Sequence, residues 1–157
     1  MSRKPILRPE LIEVRYPADR WRLLEELRRR ALSVMEALEA RGLYSIVHGS
    51  VARGDVRPGS DIDVFVLNAP SSFIIEAALE EAGFKPMSRA IVKATPAHAA
   101  KGYIQLDESL CVSFPIDRLS PVERGFYRFG GELDADGLRR GLRVPGVDKR
   151  LMLIEPT

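Results

Sequence analysis

His48–Val66 reads HGSVARGDVRPGSDIDVFV. Gly49 and Ser50 close one apolar stretch, LYSIVHG, whose aromatic and β-branched content between glycines reads as a buried strand. Asp61 opens another, DIDVFVLN, in which period-two alternation sends Asp61 and Asp63 to one face and Ile62, Val64 and Val66 to the other. The apolar set packs a core, and the two carboxylates are left on the opposite face.

The flanks supply helices. In DRWRLLEELRRRALSVMEALEARG, residues Trp21, Leu24, Leu27, Leu32, Val34, Met35 and Leu38 recur at mostly three- and four-residue spacings, which predicts an amphipathic helix started by Asp19 and stopped at Gly42. SSFIIEAALEEAG, with a serine cap and a closing Gly83, predicts a second. Extended pieces follow at SRAIVKATP, GYIQLD and LCVSFPID, the last two a hairpin about Glu108 and Ser109. SPVERGFYRFGG and DADGLRRGL read as further short helices, and KRLMLIEP as a last strand. The strands cluster and only partly alternate with helices. That order points to an α+β (mixed α/β) fold, a small mixed sheet with helices packed mainly on one face, rather than a doubly wound parallel sheet.

The 157 residues, 45% apolar, suffice for one core, so one domain over residues 1–157 is expected, with residues 1–18 as an extended N-terminal arm. A formal charge of +2 does not indicate nucleic acid as a partner. Arg28, Arg29, Arg30 and Arg139, Arg140 read as solvated helix surface, with phosphate contact as the alternative. One cysteine, Cys111, excludes an intramolecular disulfide and a multi-cysteine metal cluster and fits a reducing cytoplasm. No stretch approaches the roughly 18 to 20 apolar residues of a membrane span, and the N-terminus lacks the apolar core of a signal peptide.

Two carboxylates at i and i+2 on one strand face stay ionised together only beside a positive charge. Mg²⁺ fits, because it binds through one or two carboxylates plus substrate phosphate oxygens. Just upstream, Gly49 lets a ligand approach the backbone, and Ser50 opens a helical turn whose free N–H groups suit a phosphate oxygen. A phosphate cradle beside metal carboxylates describes phosphoryl or nucleotidyl transfer.

The stretch GSVARGDVRPGSDIDVFV resembles the signature of the DNA polymerase beta-like nucleotidyltransferase superfamily: Gly-Ser followed about ten residues later by Asp-x-Asp in a strand. It is closest to the minimal archaeal and bacterial type, and it covers about residues 43–68. The resemblance implies that Gly49 and Ser50 hold the triphosphate of a nucleoside triphosphate, ATP among the candidates. It implies that Asp61 and Asp63 ligate one or two Mg²⁺ ions, and that a nucleoside monophosphate passes to an acceptor the sequence does not identify. Arg53 matches an arginine of the minimal members, with a phosphate or a structural role. A helical protein partner, common among those members, or a homo-oligomer is implied as well.

The superfamily generally adds a third carboxylate on a later strand. Cys111 stands where that acid is expected, and Asp107 or Asp117 can supply a displaced one, or no residue does. A thiol is a poor ligand for Mg²⁺, so a catalytically weakened nucleotide-binding module acting with a protein partner is the alternative function. Lys93 is a further candidate for nucleotide binding, and His98 a weaker one, from a loop that a solvated turn explains equally well. His48 reads as a strand-end residue. Tyr127 and Arg128, in GFYRFGG, read as core plus one exposed arginine and stay outside the site.

Overall fold

The computed structural model describes residues 11–14, 17–68 and 71–156. In the expected N-terminal arm, residues 1–10, 15 and 16 lie outside the described residues, while Leu11–Val14 form strand β1. Helix α1 follows at Ala18–Glu39. Pro17 is its N-cap, and Asp19 sits in the first turn instead of capping it.

The core of the fold is a six-stranded mixed sheet. It contains β2 (Ser45–His48), β3 (Ile62–Val66), β4 (Ser88–Val92), β5 (Lys101–Gln105), β6 (Leu110–Pro115) and β7 (Glu132–Asp134), in the order β4-β5-β6-β3-β2-β7. β3 and β6 run parallel at the centre, and every other neighbouring pair is antiparallel. The mixed α/β architecture expected from the clustered strands is the one observed. β5 and β6 form the expected hairpin.

Alternation decides which side is dry. Ile62, Val64 and Val66 of β3, with Val47 of β2 and Val112 and Phe114 of β6, pack against Leu27, Ala31, Val34, Met35 and Leu38 of α1. Helix α3 (Ser72–Glu81) closes the same face with Ile75 and Leu79, and its Ser71 hydroxyl accepts the Ile74 N–H as the cap read from the sequence. Helix α5 (Ala135–Arg139), capped by Asp134, adds Leu138.

Helix α4 (Pro121–Gly130) lies on the other face, where Tyr127 stacks on Phe65 with centroids 4.3 Å apart. Its start is a capping box: the Ser120 hydroxyl accepts the Glu123 N–H, and the Glu123 side chain accepts from Ser120. A second small sheet, β1-β9-β8, joins Leu11–Val14 to β9 (Leu153–Pro156) in parallel and β9 to β8 (Gly146–Val147) in antiparallel. The last strand was legible in the sequence. β7 and β8 were not, being three and two residues long. Among the described residues no helix is long and apolar enough to cross a membrane.

Candidate active site

On the face away from α1, strand pairing fixes a row of side chains. Cys111 of β6 is the register partner of both Asp63 of β3 and Gln105 of β5. His48, at the end of β2, reaches Asp63 from the other side with Nε2 2.9 Å from Oδ2. Ser113, one pleat further along β6, donates from Oγ to Asp63 Oδ1 at 2.7 Å. Both carboxylate oxygens of Asp63 thus accept hydrogen bonds, which hold the side chain in one orientation. Asp61 precedes the strand and is exposed. Both aspartates line a cleft of about 1000 Å³.

The approach to Asp61 is built by turn chemistry. Arg57–Ser60 is a turn in which the Ser60 N–H bonds the Arg57 carbonyl at 2.9 Å, with Pro58 second and Gly59 third at φ +85°. Opposite it stands the Gly49–Ser50 turn. Gly49 adopts φ +78° and ψ −145°, a conformation that side-chain-bearing residues avoid, and its N–H bonds the Gly131 carbonyl at 3.0 Å. Helix α2 (Ser50–Arg53) follows, placing Gly49 and Ser50 in the wall of the cleft with Asp61 and Asp63. The structure therefore brings these four sequence-selected residues into one cavity.

Two arginines fix that wall from behind. Arg53 is 6% exposed; Nε and Nη2 clasp both Asp55 carboxylate oxygens at 2.9 and 3.0 Å, and Nη1 donates to the Gly130 carbonyl at 2.7 Å. It ties the glycine-rich turn to the end of α4. Arg28 is also buried, donating from Nε to the Val51 carbonyl and from Nη2 to the Ala52 carbonyl, each at 3.0 Å. Its reading as solvated helix surface is corrected: the guanidinium satisfies the carbonyls of α2, which a four-residue helix leaves without partners of its own. No local sequence signal marks that role, because the acceptors lie more than twenty positions away.

The later strands leave Cys111 beside Asp63. Burial, and secondarily the Asp63 carboxylate, push its thiol up to about 11, so it is a neutral S–H at physiological pH. Asp107 shares a second, smaller groove with Asp61, Asp63 and Cys111. Its carboxylate is committed to the hairpin turn, accepting the Ser109 and Leu110 N–H groups at 2.8 Å each and pairing with Arg30 at 2.6 Å. Burial works to raise its pKa, but these partners together outweigh it and hold the group below the usual carboxylate range. Asp117 lies six residues past Cys111, about 20 Å along the chain direction. It accepts the Ala100 N–H at 3.1 Å and stands 3.8 Å from Lys93 Nζ. Lys93 is therefore not brought to Gly49 and Ser50. The β4–β5 register carries it to the far end of the sheet. His98 pairs with Thr95 and lines a small pocket with His48, Lys101 and Tyr127.

Tyr127, read as core, is half-buried: it stacks on Phe65 and has His48 edge-on to it at 4.7 Å. Arg128 is exposed beside Glu132 at 3.7 Å. Phe126 and Phe129, by contrast, are 63% and 57% exposed and face the large cleft, which the reading of this helix as core missed.

Among the described residues, no group of three or more His, Cys, Asp or Glu side chains is placed to hold a metal ion. Asp61 and Asp63 fit a cation that takes its remaining ligands from substrate and water, as Mg²⁺ does.

Comparison with known proteins agrees with the motif. Residues 23–96 match the family described as nucleotidyltransferase domain, a span that contains Gly49, Ser50, Asp61 and Asp63. A solved structure reported under the heading "Structural Basis for the Activity of a Cytoplasmic RNA Terminal U-transferase" is similar at 18% identity with a TM-score of 0.43. The similarity covers 60% of this chain and 29% of that one. No curated protein matches the chain. The resemblance to nucleotidyltransferases read from residues 43–68 stands.

Proposed function

We propose that this nucleotidyltransferase domain uses Mg²⁺ and a nucleoside triphosphate to transfer a nucleoside monophosphate to an acceptor, releasing pyrophosphate. The observation that carries the reading is the meeting of Asp61 and Asp63 with Gly49 and Ser50 in one cleft. Asp61 and Asp63 would hold the cation, which when bound neutralises triphosphate charge and polarises the phosphoryl group. Gly49 exposes backbone to the phosphates, and the Ser50 hydroxyl and the first N–H groups of α2 donate to their oxygens. Arg57 and Lys149, which also line the cleft, add positive charge opposite the anion. His48 and Ser113 act on Asp63 as positioning residues. Arg53, which clasps Asp55 and donates to the Gly130 carbonyl, supports the cradle structurally. A cytoplasmic setting fits the lone thiol.

The test is pyrophosphate release by the full chain with each nucleoside triphosphate and Mg²⁺, with and without added extract as the source of acceptor. Mg²⁺-dependent release that Asp61→Asn and Asp63→Asn each abolish, in folded protein, is the expected result. Unchanged release by those variants overturns the assignment.

Cys111 favours a second reading: a nucleotide-binding module whose chemistry is weak and which works with a protein partner. Where relatives place an acid, this chain places a neutral thiol directly opposite Asp63. That reading expects Mg²⁺-triphosphate binding without pyrophosphate release under any of these conditions. Release by the isolated chain removes it.

A further inference from the structure

Helix α4 turns one stripe of its surface outward: Val122, Phe126 and Phe129 are 71%, 63% and 57% exposed, while Tyr127 and Glu123 of the same helix are turned inward. A soluble helix ordinarily buries its aromatic side. Here two of the three apolar residues line the same cleft as Gly49 and Ser50.

The same cleft carries a second anomaly. Leu151 is 79% exposed and adopts φ +61°, the only positive φ of a non-glycine residue among those described. A leucine is held in that region only when its surroundings impose it. Asp148 imposes it: its backbone accepts the Leu151 N–H at 2.9 Å, and its carboxylate Oδ1 accepts the Arg150 and Met152 N–H groups at 2.9 and 3.1 Å. The turn holds an exposed leucine at the cleft that Phe126 and Phe129 also line. The cavity thus sets three exposed apolar side chains, Phe126, Phe129 and Leu151, in the same lining as Gly49, Ser50, Arg57 and Lys149.

We infer that Phe126, Phe129 and Leu151 form the subsite for the base of the incoming nucleoside triphosphate, and that they hold it by stacking and apolar contact without reading its identity. This rests on the proposed function, since phosphates anchored at Gly49 and Ser50 would leave the base in the cleft that these three side chains also line. Every base offers a π-face, so aromatic stacking tolerates all four. The carboxylates available to read a base edge are already engaged: Asp55 by Arg53, and Asp148 by its own turn and the Arg150 side chain.

The experiment is calorimetry on the full chain in Mg²⁺ with ATP, GTP, CTP, UTP and inorganic tripolyphosphate. The four nucleotides are expected to bind within a few-fold of one another and each about tenfold tighter than tripolyphosphate. Phe126→Ala/Phe129→Ala lies on the surface and should keep its circular dichroism spectrum. It should bring each nucleotide to the tripolyphosphate level while leaving tripolyphosphate unchanged, and Phe126→Tyr/Phe129→Tyr should restore the difference. The inference is overturned by nucleotides that bind no tighter than tripolyphosphate, by a double variant that binds them as wild type does, or by a preference for one base well beyond tenfold. Failure of the proposed function looks different: neither tripolyphosphate nor any nucleotide binds, and the base subsite falls with it.

Discussion

The two faces of the six-stranded sheet are made by alternate residues of the same strands, and they follow different rules. Toward α1, Ile62, Val64, Val66 and Val112 are fully buried in a dry layer where shape and volume decide stability. Toward α4, the intervening positions hold Asp63, Cys111 and Ser113 beside the buried Phe65, and His48 and Ser113 tie Asp63 by hydrogen bonds. Truncation on the first face should cost stability and spare chemistry. Charge removal on the second should do the reverse.

The largest expected effect belongs to the polar face. Asp63→Asn keeps the shape and one acceptor but removes the charge that would hold the cation, so transfer should fall by several kcal/mol of transition-state stabilisation, about a thousandfold. Its urea midpoint should stay close to wild type. On the dry face, Met35→Ala leaves a cavity against the sheet and should lower stability by about 2–5 kcal/mol. Its triphosphate affinity at low temperature, where it is folded, should be unchanged. A large stability loss in the asparagine variant, or a large affinity loss in the alanine variant, breaks the division between faces.

Arg53 tests whether the cradle belongs to the packing side or the binding side. With its fork closed on Asp55 and Nη1 donating to the Gly130 carbonyl, Arg53→Ala should cost about 3 kcal/mol by leaving Asp55 and a carbonyl without their partner. Tripolyphosphate affinity measured below the melting range should fall less than the stability does. A variant with wild-type stability and lost affinity would instead make Arg53 a phosphate ligand.

What was legible in the sequence follows the same division. Period-two alternation in DIDVFV and the serine cap of SSFIIEAALEEAG are local signals, and each produced its element. The four residues in the cleft were legible because Gly49 and Asp61 lie close in sequence and the turn between them is short. Arg28 was misread because only tertiary structure supplies its carbonyl acceptors, and an arginine on a helix otherwise reads as solvated. Lys93 was misplaced because strand register, which no local signal sets, carries it to the far end of β4. Phe126 and Phe129 defeated the reading of α4 because hydrophobicity alone does not distinguish a core face from a cleft wall.

A smaller effect probes the seam between β3 and β6. Cys111→Asp sets a second carboxylate directly opposite Asp63, and like charges in that position should cost up to about 1 kcal/mol in metal-free buffer. Mg²⁺ should restore that loss and bind the variant several-fold more tightly than wild type, read by calorimetry and by the shift in melting temperature. If Mg²⁺ leaves the variant as unstable as it was without the ion, the introduced carboxylate does not share a cation with Asp63, and the seam is not the place of the third acid.

A further test lies in pH. The Cys111 thiol ionises near 9 when free of the fold and at about 11 within it, burial being the main cause and Asp63 the next. Between those values the unfolded chain has released a proton that the folded chain still holds, so the equilibrium shifts toward unfolding as pH rises. The contribution is fully present below about 9 and is lost as pH climbs through about 11. Cys111→Ser lacks the titrating group, so the urea midpoints of wild type and variant should run parallel from neutrality to mild alkali and then separate, with wild type falling faster. Parallel curves throughout would mean that the thiol is solvated in the fold.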